Sequence, residues 1–230
     1  MILLGFSIKS YSNEFVDNLK SPLLVDQSRS VLLYGTSLSL LMLYVNKDFD
    51  QHNEDQISKH NILGKWSKYG NKGGQIIPNI AYTVINAGIF LFNDDANYEK
   101  RAVSMFNATF YSGLVADVIK PIAHERRPNG GVHSFPSGHT TTAFAFASYV
   151  ALEHPWYVGV PAYVFASYVG LCRMNDRFHY PHDVVFGAAL GMAYGMAQYY
   201  QGYINRISYI PMIVPVDSGK GLALNFTKEF

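Results

Sequence analysis

The 230-residue chain carries 18 lysines and arginines against 17 aspartates and glutamates, a formal net charge of +1. No global field draws it to nucleic acid or to an acidic surface, so any anion site must come from local clustering. The single cysteine, Cys172, excludes an internal disulfide and a multi-cysteine metal centre.

In chain order, residues 1–30 read as an N-terminal polar helix/loop segment. It opens on MILLGFSI, which is apolar but shows neither a basic leader nor a small-residue cleavage site. Six apolar runs follow, at 31–45, 76–92, 102–119, 140–152, 156–172 and 184–200, and each predicts a helix. The polar stretch 46–75, ending in YGNKGG, predicts a flexible connector. FNDDANYEK predicts a turn in which Asp94 or Asp95 caps the next helix. LEHPWY predicts a tight helical hairpin, which makes runs 140–152 and 156–172 antiparallel neighbours. Pro181 suits the first turn of the last long helix, and Gly187, Gly191 and Gly195, four apart on it, predict close helix packing. Beyond Tyr200, alternating apolar residues with Pro211 and Pro215 predict an edge hairpin over 208–228. The expected fold is all-α: one domain over 1–230, a compact bundle of about six core helices within 31–200, and a small C-terminal β-hairpin.

Whether the bundle spans a membrane stays open at this level. The runs are 13–18 residues long, against roughly 20 for a spanning helix. Asn79, Asn86, Asn107 and Asp117 interrupt them, and the mean hydropathy is only +0.02. Lysines and arginines fall on both sides of any alternating topology, so charge asymmetry assigns no orientation.

Three polar clusters stand beside helix ends. KPIAHERRP holds Lys120 and Arg127, FPSGH holds Ser137, Gly138 and His139, and CRMNDRFHYPHD holds Arg173, His179 and Asp183. Singly, each has a plain structural reading: arginines complement a helix C-terminus, serine caps a helix, histidines pack. Topology joins them. The first two clusters are separated by a short loop, and the helical hairpin returns Arg173 and His179 to the level of His139. Three cations, two imidazoles and a helix N-terminus then share one end of the bundle, an arrangement suited to a multiply charged oxyanion such as phosphate.

K-x6-R-P, P-S-G-H and R-x5-H-x3-D, in that order, resemble the type 2 phosphatidic acid phosphatase superfamily, which also contains bacterial acid phosphatases and vanadium haloperoxidases. The resemblance covers roughly residues 100–200. It implies a phosphohistidine mechanism with His179 as nucleophile, Asp183 orienting it and His139 as general acid. Lys120, Arg127, Ser137, Gly138 and Arg173 would then bind phosphate. Cys172 departs from the serine usual before the third-cluster arginine and puts one minor contact in doubt. His124, Glu125, Arg126, His133, Arg177 and His182 read as rim or salt-bridge residues. A metal site from His179, His182 and Asp183 is disfavoured by the neighbouring cations, so no metal and no cofactor is expected.

The implied activity is a metal-independent phosphomonoesterase acting on a phosphorylated lipid of the phosphatidate or polyprenyl pyrophosphate type. Its place would be the cell envelope, membrane-embedded or membrane-associated. The alternatives are a soluble periplasmic acid phosphatase of broad specificity, a vanadium haloperoxidase and a catalytically silent helical scaffold.

Overall fold

The computed structural model describes residues 7–45, 62–74, 76–204, 212–215 and 222–225. Its helices are α1 (Ser7–Leu24), α2 (Asp26–Val45), the short α3 (Ser67–Gly73), α4 (Ile77–Asn93), α5 (Ala96–Ala123), α6 (Gly138–Glu153), α7 (Trp156–Asn175) and α8 (Pro181–Ile204). All six apolar runs are therefore helical, and their signals act where expected. Asp95 caps α5, its Oδ1 accepting from the Asn97 amide at 2.9 Å. α8 begins at Pro181, and α6 and α7 form a tight hairpin through His154 and Pro155.

Three segments differ from the expectation. Residues 7–24 form a continuous helix, because polar side chains from α8 hold it. Tyr194 Oη donates to the Leu19 carbonyl at 2.7 Å, and Gln198 Nε2 donates to Asn18 Oδ1 at 3.0 Å. YGNKGG is mostly helical rather than a free connector: it lies in α3, where Gly70 seats against Cys172 and Tyr168 of α7. α5 runs past the expected stretch 102–119, through Pro121 to Ala123, so Lys120 is helical although a following proline disfavours that conformation. The helix ends one turn later, where His124 adopts a left-handed conformation and its amide donates to the Lys120 carbonyl. The C-terminal hairpin expected over 208–228 falls mostly outside the described residues. The two short strands described there, Met212–Pro215 and Leu222–Asn225, pair only with each other, so the hairpin is not supported as part of the fold, which is a helical bundle.

α6 and α8 share the most extensive interface. Gly187, Gly191 and Gly195 lie over the Ser137, Thr141 and Ala145 carbonyls, where an added Cβ would come within 2.7, 2.1 and 2.6 Å of them. Gly35 meets Ala189 in the same way, bringing α2 onto α8. The interior between α5, α6 and α7 is built on small residues, with Ala143, Ala147, Ala162 and Ala166 around Met105 and Tyr149. A buried amide ties the helices together: Asn79 Nδ2 donates to Thr109 Oγ1 at 2.8 Å and to the Thr142 carbonyl at 3.1 Å, joining α4 to α5 and α6. The asparagines at 79 and 86 thus face inward, leaving an apolar exterior that includes Leu33, Leu41, Ile80, Val84, Phe110 and Val164.

The glycine contacts make a measurable distinction. Gly191→Ala should destabilise the protein by about 1–3 kcal/mol, the usual cost of overpacking. Gly113→Ala, where a Cβ meets nothing within 4 Å, should be neutral or stabilising by about 0.4–1 kcal/mol. Thermal unfolding of both variants checks this, and equal effects would contradict the close α6–α8 approach.

Candidate active site

Four helix ends meet at one pole of the bundle. α5 brings Lys120 in its last turn, α6 starts at Gly138, α7 carries Arg173 near its end, and α8 carries Asp183 in its first turn. The loop between α5 and α6 is shaped by sequence: the Arg127 amide donates to the Gly131 carbonyl at 2.8 Å, around a turn whose Gly130 needs a φ of 87°. The Asn129 amide donates to the Arg177 carbonyl at 3.0 Å, stitching this loop to the one between α7 and α8.

Each cation is held separately. Arg173 Nη1 donates to Asn71 Oδ1 of α3 at 2.7 Å, and its guanidinium lies 4.1 Å from the centre of the Phe178 ring. The Arg127 guanidinium is 5.9 Å from the same ring. Lys120 Nζ pairs with Asp117 Oδ1 at 2.7 Å. It also lies where a side chain at position 138 would begin, 3.1 Å from a Cβ added to Gly138, so that glycine gives the ammonium room. The Nε atoms of Arg127 and Arg173 are buried without a hydrogen-bond partner among the described residues, a costly state for guanidinium donors that an oxyanion would relieve.

The electrostatics of His139 report the same convergence. Burial lowers its pKa to about 4, and Arg173, His179, Lys120 and Arg127 all push it the same way. Burial likewise lowers the pKa of His179, reinforced by Arg173 and Arg127 and opposed by Asp183. His179 is therefore neutral near pH 7. Its Nδ1 faces Asp183 Oδ2 at 3.4 Å, and the acceptor-only carboxylate sets the proton on Nδ1 and leaves Nε2 with a free lone pair.

Asp183, fully buried, is the hub beneath that imidazole. Its Oδ2 also accepts from Ser134 Oγ at 2.6 Å and from the Tyr180 amide at 2.9 Å, while His182 Nε2 lies 3.1 Å from Oδ1. Burial opposes its ionisation, but His179 and His182 more than offset that and hold the carboxyl well below the usual range.

Lys120, Arg127, Gly138, His139, Arg173, His179 and Asp183 are thus brought to one pole. Ser137 is placed differently from the expectation. Its amide donates to the Asp183 carbonyl at 3.2 Å and its hydroxyl sits 2.9 Å from Thr140 Oγ1, both within the buried α6–α8 contact. The free amides at this helix start are those of the first turn after it. Cys172 packs its thiol against Gly70. Sequence reasoning missed Asn71 and Phe178: an asparagine in a glycine-rich stretch gives no signal of a partner 102 residues away. Ser134 was equally unmarked, whereas Glu125 and His182, read as rim or salt-bridge residues, do pair, with each other.

Asn71→Ala leaves Arg173 resting on Phe178 alone. Orthovanadate or inorganic phosphate should then bind about tenfold more weakly or worse, given the worth of a hydrogen bond to a charged group. Calorimetric titration checks this, and unchanged affinity would show that Arg173 is placed without Asn71.

Residues 120–207 match the PAP2 superfamily. Over 79 residues, 32% of this chain and 18% of the relative, the sequence is 43% identical to the lipid A 1-phosphatase of Porphyromonas gingivalis. Over 103 residues, 38% of this chain and 44% of the relative, it is 33% identical to that of Rhizobium etli. The chain therefore spans less than half the length of these curated relatives. The fold is similar to that of a transmembrane PAP2-type phosphatidylglycerolphosphate phosphatase from Bacillus subtilis, with a TM-score of 0.61 at 21% identity, covering 81% of this chain and 98% of that one. The segment that builds the pole carries all three motifs in order, and it is this segment that matches the PAP2 superfamily.

Proposed function

We propose that the protein is a metal-independent lipid phosphate phosphatase working through a phosphohistidine. The observation that carries this reading is the gathering of Lys120, Arg127 and Arg173 around two histidines, one of them held in a single tautomer by a buried carboxylate. In the first step His179 Nε2 attacks phosphorus. The P–N bond forms as the P–O bond to the lipid breaks, and His139 gives its proton to the departing oxygen. Water then attacks the phosphohistidine while His139 takes a proton back, releasing inorganic phosphate and neutral His179. The three cations and the first-turn amides of α6 stabilise charge on the equatorial oxygens in both steps.

A lipid substrate is favoured by the exterior. α2, α4 and α5 turn large apolar side chains outward, and Gly64–Asn93 and Ala96–Ala123 are long and apolar enough to cross a membrane by length and composition. A soluble envelope acid phosphatase would leave these faces in water. We therefore place the bundle in an envelope membrane with the cationic pole at its surface. Lipid A and phosphatidylglycerolphosphate, named for the similar proteins, are the first substrates to assay.

His179→Ala should abolish turnover. His139→Ala should lose about 10²–10⁴-fold, the range for general acid catalysis, and less with a leaving group that needs no proton; equal losses would remove His139 from that role. Chelation should leave activity intact and vanadate should inhibit it, whereas loss of activity with EDTA would contradict metal independence.

The depressed His139 pKa gives a further outcome. Above about pH 4 the free enzyme holds His139 neutral. A bound oxyanion offsets the surrounding cations and raises that pKa, so binding near pH 6 should take up a proton. Vanadate calorimetry in buffers of different ionisation enthalpy measures the uptake. His139→Gln should remove it, and an uptake unchanged by that substitution would contradict the assignment.

A further inference from the structure

The carboxylate behind the nucleophile has two oxygens, and only Oδ2 faces His179. The other, Oδ1, faces a group outside the mechanism. His182 Nε2 lies 3.1 Å from Asp183 Oδ1, 3.1 Å from Glu125 Oε1 and 3.2 Å from Glu125 Oε2. The ring nitrogen is hydrogen-bonded to Glu125 and in charge contact with Asp183 Oδ1, which accepts no hydrogen bond among the described residues, so the imidazole edge lies between two carboxylates. The imidazole is 2% exposed and is clamped between aromatic faces, the Phe135 ring 5.9 Å away at 23° and the Tyr180 ring 5.6 Å away at 10°. From α2, Ser39 Oγ donates to the His182 carbonyl at 3.1 Å, fixing the backbone that carries both His182 and Asp183. A histidine so confined is built to present one edge.

We infer that His182 and Glu125 are positioning residues: His182 separates the Glu125 carboxylate from Asp183, and this keeps Asp183 ionised and able to hold His179 in its attacking tautomer. The inference rests on the reading of His179 as nucleophile. Without the ring N–H, a half-buried carboxylate faces a fully buried one, and such pairs tend to share a proton rather than both ionise. A proton on that pair removes the charge that orients His179. Among the described residues, His179 and His182 act on Asp183, His182 and Asp183 act on Glu125, and Arg173 and Arg127 act on His179. Burial already pushes the Glu125 carboxyl up; His182 opposes the rise and Asp183 adds to it, which is the balance this role requires.

The pH profile of kcat/KM on one soluble phosphomonoester tests this in the full-length protein. His182→Ala should move the acid limb up by about one pH unit or more, the effect of two carboxylates sharing a site, with KM little changed because the cations are untouched. His182→Gln, which returns a donor that does not titrate, should keep the limb at its wild-type position. Glu125→Gln combined with His182→Ala should bring it back down. Glu125→Gln alone, at a partly exposed position, keeps the test alive if His182→Ala does not fold: its limb should lie at or below the wild-type value. A limb unmoved in His182→Ala, a glutamine no better than alanine, or a limb raised by Glu125→Gln would each overturn the inference. So would activity lost to chelation and restored by zinc in the wild type but not in Glu125→Gln, which would make Glu125, His182 and Asp183 a metal site. A wild-type protein without phosphatase activity would instead strike the functional reading beneath it.

Discussion

Everything at this pole follows from the repulsion among Lys120, Arg127 and Arg173 in a protein whose net charge is only +1. Like charges crowded into a partly buried space disfavour folding unless each is anchored and their common field has an occupant of opposite sign. The anchors come from different stretches: Asp117 for Lys120, Asn71 and Phe178 for Arg173, and the 127–131 turn for Arg127. Burial lowers the pKa of His139, and the field of these cations pushes it the same way. A tetrahedral oxyanion answers that field from several directions at once, and arginine forks suit its geometry.

The scaffold that sustains this crowding is made of small residues. With glycine and alanine along α6 and α8, the helices approach until backbone meets backbone, and the first turns of both are locked in register. The Ser137 amide, the Asp183 carbonyl and the Ser39–His182 bond belong to that lock. Much of what looks like binding machinery in the PSGH segment is therefore packing that holds the machinery still. The same close packing leaves room inside for few large side chains, and many large apolar ones line the exterior.

The helical bundle was legible because each long helix carries its own local signals: Asp95 as a cap, Pro181 at a first turn, the EHP reversal and the glycines of α8. The site was legible because its charged residues stand beside those helix ends, so topology brings the three clusters to one end; the convergence of Lys120 with Arg127 followed only from the family resemblance. Local reasoning failed where a distant partner overrides it. α1 is fixed by Tyr194 and Gln198, α3 by its contact with α7, and the last turn of α5 tolerates Pro121 because few hydrogen bonds remain to be lost there. Asn79 and Asn86 looked like breaks in the apolar runs and prove to be inward-facing residues that are hydrogen-bonded. Asn71, Ser134 and the Glu125–His182 contact are pairings across long sequence distances, which periodicity does not encode.

The central claim is that the Nε2 of His179 becomes covalently bonded to phosphorus, and trapping that bond tests it most directly. Substrate labelled in its phosphoryl group, mixed with enzyme and quenched within a turnover, should leave label on the peptide containing His179, with the acid-labile, base-stable behaviour of a phosphoramidate. Label on another residue, or turnover with no label retained on the protein, would contradict the account.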